Sequence, residues 1–375
     1  MRNCDWEQRK LEEDISVVGG ATPSKSNPDY WNGPIVWLSS QEIKEKYVSQ
    51  GTYTITKKAV DDNTTKMVKA GTPLIVSRSG ILARLFPISI PTTDVAINQD
   101  IKALIFDLNI INTNFFVAQL QKNEDFILRS IVKTGTTVQS INMPDFYKLQ
   151  LSFPSINEQE KVGKFFQRLD DTIALHLCKQ RQLELLKQRL IKEILPQSDS
   201  TLPHLRFANF RKPWEQHQLK EVLKVNSGRD YKHLNEGNIP VYGTGGYMLS
   251  VDGKLSDVDG IGLGRKGTID KPQYLKAPFW TVDTLFYLTP SPNYDIYFLY
   301  TLIQNVNWKS MDESTGVPSL SKSVIERVTL TFPILEEQQK IGSFFREFDN
   351  TISLHQQKIA HLKALKSTIL NKMFI

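Results

Sequence analysis

The chain carries one long segment twice. Residues 153–195 and 332–374 align without a gap at an offset of 179, and 17 of their 43 positions are identical. The shared residues are Phe153, Pro154, Glu158, Gln159, Lys161, Gly163, Phe165, Phe166, Asp170, Thr172, Ile173, Leu175, His176, Lys179, Leu183, Leu186 and Lys187, each with its counterpart in the second copy. A proline opens each segment, where a helix tolerates it, and none follows until Pro196 ends the first. Apolar positions recur at three-and-four spacing. In the first copy the stripe is Leu169, Ile173, His176, Gln180, Leu183, Lys187, Leu190, Ile194; in the second it is Phe348, Ile352, His355, Ile359, Leu362, Lys366, Ile369, Met373. This spacing predicts two long helices with a heptad seam. One such helix cannot bury its stripe alone, so the two are expected to pair. The His and Lys repeated on the seam cost stability but can fix register. The chain between the helices must return to the start of the second, which predicts an antiparallel pair. At a rise of ~1.5 Å per residue, about 39 residues make a rod of roughly 58 Å. Phe165-Phe166 and Phe344-Phe345 are expected to plug the rod into its globular neighbours.

Weaker echoes tie the rest of the two halves together. Trp6-Glu7-Gln8 with Leu11 returns as Trp214-Glu215-Gln216 with Leu219. Ser77-Arg78-Ser79-Gly80 aligns with Gly264-Arg265-Lys266-Gly267, Asp100 with Asp283, and residues 136–141 with 315–320. The expected layout is therefore a globular part (1–152), a helix (153–195), a linker with a second globular part (196–331) and a second helix (332–375), with 196–213 as the linker. At ~100–200 residues per domain, a 375-residue chain has room for this. A composition 40% hydrophobic and 23% charged excludes a disordered or fibrous chain. No run approaches the ~18 apolar residues of a membrane span. Residues 1–6 show no apolar leader region, and Cys4 and Cys178 make no disulfide framework, so a cytoplasmic protein is expected.

Within the globular parts, residues 112–133 have helical spacing with Asn112 or Asn114 as cap, and a Tyr-rich helix is expected from about Asp295 to Trp308. Ser39-Ser40-Gln41-Glu42 reads as a capping box opening a helix. The net charge of +6 suggests a polyanionic partner, yet no basic tail exists. Any nucleic-acid surface must then come from folded geometry. Arg78, Ser79, Arg84, Arg265 and Lys266 are the candidates, because a guanidinium can bond bidentately to a guanine edge; an ordinary surface ion pair is the competing reading. Tyr231, Tyr242 and Tyr247, interleaved with Lys and Gly, fit either sugar and base contacts or core packing.

Several motifs look catalytic and are better read as structure. Asn27-Pro28-Asp29-Tyr30 resembles an amino-methyltransferase motif but lacks its second proline and any preceding Gly-rich cofactor loop; a turn is expected. Pro28-Asp29 with Glu42-Ile43-Lys44 fits a loose nuclease pattern that arises often by accident. Gly262-Leu263-Gly264-Arg265-Lys266-Gly267 matches a dinucleotide fingerprint, but Thr268, Ile269 and Pro272 forbid the helix that must follow. The six histidines show no metal-ligand spacing. No catalytic, cofactor-binding or metal-binding residue is expected.

With the repeat, the paired Trp-Glu-Gln openings, the segment IVWLSSQEI and the helix starts FPSINEQEKVGKFF and FPILEEQQKIGSFF in hand, the chain resembles the specificity subunit of type I restriction–modification systems. The resemblance implies an α+β fold: two similar α/β target-recognition domains joined by a long antiparallel two-helix coiled coil, as a pseudo-twofold tandem repeat. It implies a subunit without catalytic centre, each domain reading half of a split sequence in double-stranded DNA. The helices would set the gap and dock two methyltransferase subunits, with restriction subunits joining the complex. S-adenosylmethionine, ATP and Mg would sit on those partners. The residues expected to pair the helices or dock partners are Phe165, Phe166, Leu169, Ile173, Leu183, Leu190, Phe344, Phe345, Phe348, Ile352, Leu362 and Ile369. Two other classes compete: a self-contained DNA methyltransferase or restriction endonuclease, disfavoured by the missing cofactor loop, and a helical scaffold with no nucleic-acid role.

Overall fold

The computed structural model describes residues 6–135, 138–196 and 202–374. The chain forms two compact units, one built from residues up to His176 with those from Lys358 onward, the other from Leu177–Gln357. Two 39-residue helices, Ile156–Ile194 and Leu335–Met373, each contribute to both units.

The two units share one plan. In the first, a five-stranded sheet runs in the order Ser16–Gly19, Ile101–Ile105, Leu74–Val76, Ile88–Pro91, Tyr47–Val48. In the second, a four-stranded sheet runs Leu223–Ser227, Leu285–Pro290, Gly260–Gly264, Gln273–Leu275. Beside each lies a smaller sheet whose central strand, Trp31–Leu38 or Glu236–Gly243, pairs antiparallel with one neighbour and parallel with the other. The parallel contacts are Trp37↔Ala96 and Leu38↔Ile97 in the first unit and Val241↔Trp280 and Tyr242↔Thr281 in the second. The Trp-Glu-Gln openings form short strands that pair with the strands leading into the long helices: Glu7↔Phe153 and Glu215↔Phe332.

Two of the identical residues at the helix starts, the glutamine and the glycine, have one structural cause. Helices Thr113–Lys122 and Ile296–Gln304 dock their N-termini against the long helices. Asn112 caps the first by accepting from Phe115 N–H at 3.1 Å, and Asp295 caps the second from Phe298 N–H at 2.8 Å. Buried Gln159 and Gln338 accept from the cap residues' own N–H groups, both at 3.0 Å, and donate back to the carbonyls of Pro154 and Pro333. A Cβ on Gly163 would land 2.4 Å from Asn112 Oδ1, and on Gly342 2.2 Å from Asp295 Oδ1. Glycine and glutamine are thus repeated because a capped helix end presses on the same turn twice. Of the two caps open from sequence, Asn112 and Asn114, the helix uses Asn112; it ends at Lys122, and the rest of the 112–133 segment becomes a short helical turn, a π-turn over Ile127–Ile131 and the strand Val132–Thr134.

Within each unit the long helices run antiparallel. In the first, Phe166 stacks on Phe374 at 5.9 Å, Asp170 meets Lys366, and Ile173 packs with Ile359 and Leu362. In the second, Lys187 meets Asp349. The seam holds along both helices, except at the last position. There Met373 is exposed and Leu370 and Phe374 are buried instead. A straight α-helix drifts ~20° per heptad away from a 3.5-residue repeat, which moves the buried face on by about one residue.

Two expectations are corrected. Ser39–Glu42 makes the bonds of a capping box, with Glu42 accepting from Ser39 N–H and Oγ at 2.8 and 2.6 Å, but only turns follow. Glu42 also accepts from Thr52 Oγ1 at 2.7 Å, so the carboxylate closes a loop rather than starting a helix. The described part of the 196–213 linker is not passive. Phe207 packs on Phe344, Lys340 sits over the Phe210 ring, and Arg206 holds Glu337.

Candidate nucleic-acid interface

In both units a central strand ends in an exposed basic loop clamped by a second segment. In the first unit, strand Leu74–Val76 leads to Ser77, whose N–H and Oγ donate to the Asp100 carbonyl at 2.7 and 2.9 Å. Arg78 then bridges to Ser140, flanked by Ser79 N–H to Gln139 O at 3.1 Å and Ile141 N–H to Ser77 O at 2.8 Å. In the second, strand Gly260–Gly264 leads to Arg265, whose N–H donates to Thr284 O at 2.8 Å. Lys266 bridges to Ser319, flanked by Gly267 N–H to Pro318 O at 2.8 Å and Leu320 N–H to Arg265 O at 3.0 Å. The two loops are built by the same three backbone hydrogen bonds.

Those bonds correct the register read from sequence by one residue. Arg78 is equivalent to Lys266, not Arg265; Ser77 to Arg265; and Asp100 to Thr284, not Asp283. The glycines misled the alignment because they do different work. Gly80 begins a 3-10 turn over Gly80–Ala83, whereas Gly267 sits at φ +92°, a left-handed conformation other residues rarely adopt. The clamp segments, residues 139–141 and 318–320, pair as their sequence likeness implied; Thr136 and Thr137 lie outside the described residues, as does Cys4.

The candidate side chains are open to solvent. Arg78, Arg84, Arg265 and Lys266 are exposed, and Ser79 is half-buried, its Oγ accepting from Ile81 N–H at the turn's start. Among the described residues Arg78, Arg84 and Lys266 make no ion pair; Arg265 lies over the Phe286 ring at 5.7 Å. Asp312 anchors the second loop's clamp. It accepts from Ser319 N–H and from Ser314 N–H and Oγ, and these bonds hold its carboxyl below the usual range.

The helix candidates divide. Phe166 and Phe345 are buried in the two main cores. Phe165 is 45% exposed and meets the Phe166 ring edge-on, so one phenylalanine of that pair plugs and the other faces outward. Phe344 is half-buried between Phe345, Phe348 and Phe207. Leu169, Ile173 and Leu362 share one cluster with Ile359, and Ile352 is buried. Leu190 and Ile369 pack at the margins of the main cores, and Leu183 is half-buried. What pairing logic missed is the outer face. Leu175 and Leu354 occupy equivalent positions, as do Leu186 and Leu365, and all four are exposed. The signal was present: these leucines are identical in both copies yet off the seam.

The catalytic look-alikes come apart. Residues 28–30 form a 3-10 turn capped by the Asn27 side chain. Asp29 pairs with Lys58 at 2.7 Å while Glu42 is held by Ser39 and Thr52. No helix follows Gly267. Among the described residues no group of three or more His, Cys, Asp or Glu is placed to hold a metal ion, and no helix is long and apolar enough to cross a membrane.

Two copies of one mixed α/β unit, each presenting a basic strand-end loop and each sharing an antiparallel helix pair, define a duplicated recognition scaffold. The chain belongs to the type I restriction modification DNA specificity domain family, whose model matches residues 3–185 and again 211–364. It is 33% identical over 165 residues to the EcoR124I/EcoR124II specificity subunit of Escherichia coli, covering 44% of this chain and 41% of that one. It is 25% identical over 233 residues to the MjaIX specificity subunit of Methanocaldococcus jannaschii, covering 60% and 53%. The chain thus spans about half the length of these relatives or less. The fold is that of the crystal structure of a type I restriction–modification S subunit from M. genitalium, with a TM-score of 0.75 at 18% identity over 100% of this chain and 97% of that one.

Proposed function

We propose that this chain is the non-catalytic DNA-recognition subunit of a type I restriction–modification complex. Each unit reads one half of a bipartite target, and the helix pair sets the gap between half-sites. The exposed outer-face leucines, repeated in both helices, suit the docking of two identical methyltransferase subunits, with restriction subunits joining through the complex. S-adenosylmethionine, ATP and Mg belong to those partners, and the complex works in the cytoplasm. The observation that carries this reading is the doubled loop: one hydrogen-bonded frame presents Arg78 in one unit and Lys266 in the other. Phosphate contacts from such residues give affinity and base-edge contacts give specificity. The dispersal of Asp29 and Glu42 argues against a self-contained nuclease.

The test is reconstitution. The purified chain alone transfers no methyl group to DNA; with its methyltransferase partner and S-adenosylmethionine it directs methylation to one bipartite sequence, with affinity that falls as salt rises. Methyl transfer by the chain alone, with contamination excluded, would contradict the proposal.

A further inference from the structure

In each unit the smaller sheet exposes a tyrosine. Tyr53 faces Trp37 across an antiparallel pair, and Tyr247 faces Tyr242 across another. The two are not equivalent positions, because on the other edge of the strand Tyr242 matches Leu38 and Val241 matches Trp37. The ring contacts match, at 6.3 Å for Trp37–Tyr53 and 6.5 Å for Tyr242–Tyr247. In both units the inner aromatic is at least half-buried and the outer one is open, 53% exposed at Tyr53 and 62% at Tyr247. Core packing, the competing reading for Tyr247, is therefore excluded, while Tyr231 and Tyr242 do pack on the small core.

The surroundings of Tyr247 say what it faces. It follows the tight turn Gly243–Gly246, where Cβ atoms on Gly245 and Gly246 would meet nothing within 4 Å. Met248, next along, is 50% exposed. The turn is tied to the main sheet: Gln273 Nε2 donates to Gly243 O at 2.9 Å and to Thr244 O at 3.2 Å. Thr244 Oγ1 lies 3.8 Å from where a Cβ on Gly267 would be, one residue after Lys266. Open aromatic and thioether surface and a turn with three glycines thus lie next to the loop that carries Arg265 and Lys266. An acidic protein surface would suit the cations, but it gives no reason for a glycine-rich turn beside an exposed ring. A stacked, polyanionic partner suits both.

We propose that Tyr247 is a specificity-determining residue that lays its ring against base edges of the DNA half-site its unit reads. The assignment rests on the recognition reading above and adds the aromatic contact to it. The ring is braced by Tyr242, so little side-chain freedom is lost on binding, and Arg265 and Lys266 fix the phosphates around it.

The test uses the complete complex with its methyltransferase partner and a duplex carrying the target found by methylation mapping. Tyr247→Ala should weaken binding to that duplex by roughly 5- to 150-fold, the range of one lost base contact, and Tyr247→Phe should restore it to within about 3-fold. Binding to an unrelated duplex, the melting temperature and assembly with the partner should stay unchanged. Wild-type binding by Tyr247→Ala would overturn the assignment, and so would loss of partner assembly, which would make the patch a protein interface. If the wild-type complex itself does not distinguish target from unrelated duplex, the recognition reading fails and takes this assignment with it.

Discussion

Glu337 is fully buried, and Arg206 meets it with two bonds, Nε to Oε1 and Nη2 to Oε2, both at 2.7 Å. Its counterpart in the first helix, Glu158, is half-buried and accepts instead from the Trp6 indole at 3.3 Å. In the second unit the matching indole, Trp214, is buried with no partner for its Nε1 among the described residues. The residue identities Trp and Glu were plain in the sequence, but the switch of partner was not, because Arg206 reaches Glu337 across 131 positions and has no spacing signature. Removing one member of a buried ion pair leaves an uncompensated charge, which costs about 3–5 kcal/mol. Arg206→Ala should therefore destabilise the protein by about 3 kcal/mol in chemical denaturation, and adding Glu337→Gln should recover part of the loss. An Arg206→Ala protein as stable as wild type would show that the strap is ornamental.

At the scale of the helices, the two lysines placed on the seam by periodicity turn out to be half of a reciprocal device. Asp170 holds Lys366 at 2.6 Å in one unit, and Asp349 holds Lys187 at 2.6 Å in the other. Because Asp170 and Asp349 are equivalent, as are Lys187 and Lys366, one pair of positions in the repeat makes both bridges only if the helices run antiparallel. Each bridge also reaches its unit's globular part. Lys46 joins Asp170 at 3.0 Å, and Tyr297 donates to Asp349 at 2.7 Å. Burial lowers the Lys46 ammonium, partly offset by Asp170, while burial and the bond to Asp349 drive the Tyr297 hydroxyl upward. The heptad stripe was legible because it is local and periodic; the aspartates were not, because they lie at the seam's edge and act only in the folded pair. Asp349→Lys should destabilise by a few kcal/mol through two facing buried cations. The exchange Lys187→Asp with Asp349→Lys should recover at least half of that in a double-mutant cycle. No recovery would mean that the bridge does not lock the helix register.

The organisation of the whole molecule was the most legible layer, since a duplication announces itself in sequence. The strand order within each unit was not, because it rests on pairings such as Ser16 with Ile105, far apart in the chain. The basic loops were found from sequence but aligned one residue out, since glycine marks a 3-10 turn in one copy and a positive φ in the other. The exposed tyrosines Tyr53 and Tyr247 carried no repeat signal, because they do not occupy equivalent positions of the two units. The proposed function makes a specific claim: each unit reads half of the target. The most direct test replaces residues 1–152 with the corresponding segment of a relative that reads a different sequence, followed by mapping of methylated sites in cells. The account predicts that one half-site changes while the other half-site and the gap between them stay the same. A chimera that methylates normally but changes both halves together would contradict it.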